Sequence, residues 1–392
     1  MAEIAIIRNN FIVYDTGLVR VIRSLTRKYS TIVLGWNREK KSNYHIDALK
    51  KEIMGEKNYN FDNLDLKILK LQAPVRKPNL RAYLPLTIFF PLFWTWVLAN
   101  LVANRPKVVF ACDLDTVLPC YIYKKIFRAK LAFYIFDRYA LTYIPQKYGI
   151  LFNIVHKTEE YFSKRSDFLI TVGENVLNTF TQKPSDCAIV SNYPEEIATH
   201  VSGGDKMLTI VYGGHIMRGR GLENIVSATK ALHNVELHMY GLLIHRNLLN
   251  ELTSASNVKY KGYLVNTDDY YKVIANADAM IAIYNLDNPA HSITMHNKTF
   301  ETMMCGIPII TNLSPELVNK VGCGITVDYN SVEEIRAAVT RLRDDPELCK
   351  AMGKRGRNAF LEKYNWKVAE KELYRVCHKL LRDNINSMKM AI

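Results

Sequence analysis

Lys298 and Glu301 stand three residues apart in the stretch 291–311, with Asn297 before them and Gly306 and Pro308 after. On a helix that spacing puts both side chains on one face. A cation beside the positive end of a helix dipole suits a phosphate, and a carboxylate one turn on can accept from both hydroxyls of a ribose. The same pair also fits a solvated ion pair on an amphipathic helix, and spacing alone leaves both readings open. Local signals predict the helix: Asn297 is a good cap, and Phe300, Met303 and Met304 fall at helical spacing. Gly306 followed by Pro308 ends it before a strand over 307–310.

A second cluster lies at 213–221, Gly-Gly-His-Ile-Met-Arg-Gly-Arg-Gly, between an apolar run at 208–212 and a helical pattern at 222–232. Gly214 and its three fellow glycines let a backbone approach a ligand closely, and Arg218 and Arg220 offer planar donor forks. At a strand-to-helix junction these are the requirements of a diphosphate; a flexible basic loop is the plainer alternative. Near the start, Asp15-Thr16-Gly17 closes a loop over 9–17 where a helix begins, and Gly17 would let first-turn N–H groups face a ligand. An ordinary strand-to-helix turn fits that signal equally well.

Stepping along the chain, strand-like apolar runs alternate with helical patterns, first at 4–7, 31–34, 108–111, 130–136 and 168–171. The alternation starts again from 207, at 208–212, 235–240, 258–261, 279–283 and 307–310. This is the pattern of an α/β protein with parallel sheets, and 392 residues allow two domains of ordinary size. The boundaries read as a first domain 1–194, a linker 195–206 containing Gly203-Gly204, a second domain 207–365 and a closing helical segment 366–392. The segment 37–57 reads as basic and mobile.

The net charge of +14 is uneven. Residues 1–200 hold 28 Lys and Arg against 18 Asp and Glu, and the remainder 24 against 20. A basic first half points to an anionic partner: nucleic acid, an anionic membrane surface or a phosphorylated acceptor. Nucleic acid is disfavoured, because the aromatic residues cluster in one apolar stretch instead of interleaving with Lys and Arg. That stretch, 82–103, is bracketed by Arg76, Lys77, Arg81, Arg105 and Lys107 and contains Pro85 and Pro91. It could be a core helix, a membrane span or an interfacial segment whose Phe93, Trp94 and Trp96 dip into one leaflet. A soluble strand at 107–111 follows at once, which argues against a span, and the interfacial reading is preferred. The seven cysteines form no CxxC pair, so buried free thiols are expected rather than zinc or disulfides. The opening residues run directly into a strand without a basic leader, which predicts a cytoplasmic protein at the inner face of the membrane.

The 291–311 string resembles the nucleotide-binding helix of glycosyltransferases of the family-four type, the group-1 glycosyl transferases. Their pattern runs roughly Pro-Asn-Lys-Leu-Phe-Glu-x-Met-x-x-Gly-x-Pro-Val-Ile; Asn297, Lys298, Phe300, Glu301, Met303, Gly306 and Pro308 match it. The resemblance implies the GT-B fold, two doubly wound Rossmann-like parallel-sheet domains facing a cleft, with segment 366–392 crossing back to the first. It implies transfer of a sugar from a UDP- or GDP-sugar to a glycan acceptor, with no cofactor, no metal and retained configuration. Donor binding falls to Gly17, Gly214, His215, Arg218, Arg220, Tyr263, Leu264, Lys298, Thr299 and Glu301, and catalysis to Asp137, Arg220 and Lys298. His215 stands where relatives have an arginine and Arg220 where they have a lysine. Asp113-Leu114-Asp115 matches their strand end, with Asp115 as a helix cap rather than a metal ligand. Two positions depart from the pattern: Ile293 replaces a glutamate near the sugar, and Phe136 takes the place of the active-site histidine, with Tyr134 at an aspartate. A second hypothesis is therefore a catalytically weakened nucleotide-sugar-binding homologue serving as a partner subunit at the membrane. A basic first domain with an apolar aromatic stretch suggests a lipid-linked or membrane-surface acceptor.

Overall fold

The structure, a computed structural model, describes residues 2–10, 12, 15–38, 46–54, 61–73, 88–144, 146–197, 207–264, 266–287, 291 and 297–389. The chain divides into two units. One holds the residues up to Asn192 together with those from Ala369 onward; the other holds the described residues from Tyr193 to Val368. Most of the expected linker, 198–206, lies outside the described residues, as do Ile293 and Pro85.

The first unit is built on seven strands: β1 (Ile4–Arg8), β2 (Thr31–Asn37), β3 (Leu64–Lys70), β4 (Val108–Cys112), β5 (Lys130–Ile135), β6 (Phe168–Thr171) and β7 (Cys187–Ile189). All pairs are parallel, in the order β3-β2-β1-β4-β5-β6-β7. Strands covered on both faces must be apolar along their whole length, and β1, β2 and β4 are buried at every position. The second unit repeats the plan with β8 (Leu208–Gly213), β9 (Val235–Tyr240), β10 (Val258–Gly262), β11 (Ala279–Ala282), β12 (Ile309–Thr311) and β13 (Gly324–Thr326), in the order β10-β9-β8-β11-β12-β13. Each sheet therefore has a point where successive connections part in opposite directions: between β1 and β4 in the first, and between β8 and β11 in the second. Ligands of open parallel sheets bind beyond the strand C-termini at such points.

Three parts of the sequence reading change here. β3 falls in a stretch where no strand was expected; Leu64 and Leu66 are buried and Asp65 exposed, the alternation of an edge strand with one covered face. The segment 37–57 contains a helix, Ile46–Met54. The helix Phe90–Asn104 takes up the later part of the apolar stretch, and Pro91 sits in its first turn, where a missing N–H costs nothing. The three residues expected to enter a leaflet are engaged within the unit. Phe93 is buried and stacks on Trp36 at 5.1 Å, while Trp94 stacks on Phe90 and donates its indole N–H to the Asp115 carbonyl at 2.7 Å. Trp96 is half-buried beside Phe93. No helix among the described residues is long and apolar enough to cross a membrane.

The closing helix, Trp366–Lys389, belongs to the first unit from Ala369 on. Glu370 accepts from the Ser24 hydroxyl at 2.5 Å, and the Tyr374 hydroxyl donates to the Ser24 carbonyl at 2.8 Å. The cysteines are free thiols, all buried except half-buried Cys187.

One glycine is fixed by close backbone approach. Gly241, after β9, has φ +151°, and a Cβ there would lie 1.7 Å from the Gly214 carbonyl oxygen. That carbonyl is backbone and cannot swing aside. Gly241→Ala is expected to destabilise the second unit by at least about 2 kcal/mol, read as a lowered unfolding midpoint in urea.

Candidate functional site

In the second unit the β8/β11 switch point is lined by the residues that follow the two strands. Behind Gly213 the chain turns through the glycine-rich loop into the helix Leu222–Thr229, and Gly219 and Gly221 have φ of +81° and +68°. The Arg220 guanidinium lies over the Tyr284 ring, 4.4 Å from its centroid, and its Nε is buried with no partner among the described residues. The His291 ring is tilted against the Tyr284 ring, 5.4 Å between centroids, and its Nδ1 shares a 2.8 Å hydrogen bond with the Asn285 carbonyl.

The helix Asn297–Cys305 brings Lys298 and Glu301 together, as the three-residue spacing requires, and Gly306 closes it at φ +77°. Lys298 Nζ donates to Glu301 Oε2 at 3.0 Å, and Glu301 is only 8% exposed, so this is no solvated surface pair. Asn297 is the first helical residue, and its buried side-chain oxygen has no partner among the described residues. Thr299 is fully buried, with its hydroxyl likewise unpartnered. Burial and the nearby Arg220 and Lys298 cations hold the His215 imidazole below its ordinary pKa. At neutral pH His215 is uncharged, and the positive charge facing the loop comes from Arg220 and Lys298.

A residue that sequence reasoning missed joins them. Tyr270, from the helix Thr267–Ala275, accepts from Lys298 Nζ at 2.7 Å and donates to Glu301 Oε2 at 3.3 Å. Its ring lies 4.6 Å from the Lys298 ammonium, adding a cation–π contact. Its hydroxyl fits only because residue 213 is glycine: a Cβ there would come within 2.1 Å of it. The available signal was a tyrosine inside a helix whose neighbour Tyr271 is a core residue, which marks the position as amphipathic and says nothing of a lysine 28 positions on. Tyr270→Phe keeps the ring and removes the bridging hydroxyl, and is expected to weaken binding of the expected nucleotide about 3–10-fold by calorimetry, the worth of about one ordinary hydrogen bond, since the hydroxyl acts through Lys298 and Glu301.

Not every expected residue converges. Arg218 turns to the surface, paired with Glu223 at 3.0 Å and Glu251 at 3.2 Å. The Gly214 N–H is engaged by the Tyr240 carbonyl, so it is not among the donors a diphosphate could use. Tyr263 is 57% exposed and Leu264 half-buried, after Gly262 at φ +93°.

In the first unit a polar cluster occupies the β1/β4 switch point. Arg8, the last residue of β1, pairs with Asp113 after β4 and with Asp15 at 2.8 Å. Asp15 caps the helix Thr16–Thr26, accepting from the Leu18 N–H at 3.1 Å, so that helix starts before the expected position and Gly17 lies in its first turn, against the Asn192 side chain. Asp113 is buried at φ +66° and accepts from the backbone N–H groups of Phe136 at 2.7 Å and Asp137 at 3.1 Å. Burial pushes its carboxyl up to about 6, with the Arg8 charge opposing. Asp115 is not the cap that was expected: the helix Leu114–Phe127 begins after Asp113, and the buried Asp115 carboxylate accepts from Asn9 and from the Tyr139 hydroxyl, both at 2.5 Å. Asp137 is half-buried and accepts from Tyr143. Phe136 stacks on Tyr134 at 4.4 Å, with the Arg8 guanidinium over its ring at 4.7 Å. Among the described residues no group of three or more His, Cys, Asp or Glu is arranged to hold a metal ion.

Residues 218–373 match a family described as glycosyl transferase-like. An uncharacterized glycosyltransferase of Methanocaldococcus jannaschii is 24% identical over 237 residues, which cover 56% of this chain and 60% of that protein. Among solved structures, sucrose-phosphate synthase from Thermosynechococcus elongatus superposes with a TM-score of 0.75 at 13% identity, over 97% of this chain and 99% of that one. Anabaena HepE in complex with UDP-glucose gives 0.70 at 10% identity, over 97% and 100%. The two parallel-sheet units are those of the GT-B fold.

Proposed function

We propose that this chain, a GT-B glycosyltransferase by its fold and by the family match across its second unit, transfers a sugar from a nucleotide diphosphate sugar to a glycan acceptor at a membrane surface. One observation carries the donor assignment: beside a glycine-rich turn at the β8/β11 switch point Lys298 pairs with Glu301, and Lys298 and Arg220 both lie near enough to His215 to lower its pKa. In this reading Glu301 accepts from the ribose hydroxyls while Lys298 and Arg220 face the diphosphate. Negative charge gathers on the diphosphate as the glycosidic bond to it breaks, and two fixed cations stabilise it without a metal ion. Retention of configuration is assigned from the family resemblance. HepE, bound to UDP-glucose, favours a uridine nucleotide as the donor to try first. Asp137, at the polar cluster of the first unit, is assigned the contact to sugar or acceptor.

Phe136 supports a second reading. At the position where the resemblance places a catalytic histidine, a buried phenyl ring lies under Arg8 and offers no base. A nucleotide-sugar-binding homologue with weak turnover, acting as a partner subunit, fits that substitution.

Calorimetric titration with UDP, GDP and their sugar conjugates, with and without magnesium, tests the donor site and takes Glu301→Ala as its control. Micromolar binding of one nucleotide class, unchanged by magnesium and lost in the variant, is the expected result. Binding without sugar transfer would select the second reading, and no binding at all would overturn both.

A further inference from the structure

The first unit carries a surface that its own packing leaves unexplained. The helices Phe90–Asn104, Leu114–Phe127 and Gly149–Arg165 are neighbours: the first packs on the second, and Tyr121 of the second meets Tyr161 and Phe162 of the third. Their inner sides are satisfied, as Phe93, Val97 and Leu101 are buried at intervals of four. Their outer sides carry exposed aliphatic side chains. Leu92 heads a stripe with Thr95, Ala99 and Val102, all exposed at helical spacing. Ile126 is 63% exposed, Ile150 81% and Ile154 58%. Single exposed hydrophobics need no explanation, but large aliphatic side chains on three adjoining helices do.

The exposed charge between residues 88 and 165 has one sign. Between residues 88 and 165 eight Lys and Arg side chains are exposed, Arg105, Lys125, Arg128 and Lys157 among them. The five carboxylates of the same segment all turn inward: Asp113, Asp115, Glu159 and Glu160 are buried, and half-buried Asp137 bonds Tyr143. Glu159 and Glu160 face buried Arg138. Isoleucines among lysines and arginines, with no exposed acid, match a bilayer whose headgroups are anionic and whose acyl layer accepts the aliphatic tips. A second copy of this face would set bases against bases, which like-charge repulsion opposes.

We propose that the outer face of these three helices docks on an anionic lipid bilayer. This deepens the reading of a membrane-surface acceptor and rests on it, and it replaces Phe93, Trp94 and Trp96 as the docking residues with Leu92, Ile126, Ile150, Ile154 and the surrounding bases.

Sedimentation of the full chain with phosphatidylcholine vesicles, with or without phosphatidylglycerol, tests it. Partition onto the anionic vesicles should exceed that onto neutral ones at least ~10-fold at ~0.1 M salt and fall steeply toward ~1 M. The double variant Ile126→Glu/Ile154→Glu should lose that partition ~10-fold or more, while Ile46→Glu, at an exposed isoleucine on another helix, should keep it. UDP titration of each variant reports separately on the second unit, so vesicle binding without nucleotide binding would remove the enzymatic reading and leave the docking face standing. Equal binding to both vesicle types, an unaffected double variant, or a dimer in solution that the double variant dissociates would each overturn the proposal.

Discussion

Lys298→Ala is expected to lower kcat for sugar transfer by ~10²–10³, about 3–4 kcal/mol of transition-state stabilisation, because in the proposed reading it removes a fixed cation where leaving-group charge develops. The ammonium is well placed for that role. Tyr270 and Glu301 hold it at 2.7 and 3.0 Å, so little reorganisation is needed when a diphosphate arrives. Glu301→Ala should behave differently. A carboxylate that holds ribose contributes equally before and during bond breaking, so its loss raises KM while kcat changes little. The two variants thus separate a residue acting on the transition state from one acting on binding, using steady-state rates with the donor that calorimetry selects. Melting should separate from activity: Lys298 leaves Glu301 still bonded to Tyr270, and the stability lost should stay near about 1–2 kcal/mol. Equal kcat and a raised KM in Lys298→Ala would show that the cation serves ground-state binding alone.

How much of this was legible depended on how local the cause was. The 297–305 helix could be read because every determinant lies within a dozen residues: the spacing of Lys298 and Glu301, the apolar face, the glycine stop at Gly306. Tyr270 could not, since its role comes from the pairing order that sets β8 beside β11 and from the missing side chain at Gly213. The strand Leu64–Lys70 was hidden by its two lysines and aspartate, which an edge strand tolerates and a buried one does not. In the apolar stretch composition gave the hydrophobicity but not the facing. Trp36, some 57 residues earlier, decides that Phe93 points inward, and the outward stripe is then fixed by helical geometry. Arg8 escaped notice because a lone basic residue at a strand end looks solvated until its two partners, Asp15 and Asp113, are brought to it by the strand order.

That arginine sets up the largest expected effect on stability. Asp113→Ala removes a buried carboxylate that holds Arg8 and two backbone N–H groups, and should cost about 3–5 kcal/mol, since the guanidinium stays buried with Asp15 as its remaining carboxylate partner. Asp113→Asn should cost less, roughly 1–3 kcal/mol. An amide oxygen can still accept from Phe136 and Asp137. The double variant Arg8→Met/Asp113→Ala removes both charges and should recover part of the loss, because a buried guanidinium left with one carboxylate in place of two is only partly compensated. Activity should follow a different order. Asp113 fixes the backbone at Phe136 and Asp137, so Asp113→Asn, which keeps those bonds, retains transfer, whereas the stability-rescued double variant does not. Urea midpoints and initial rates on the same four proteins separate the two roles, and a double variant as active as wild type would show that the cluster serves the fold alone.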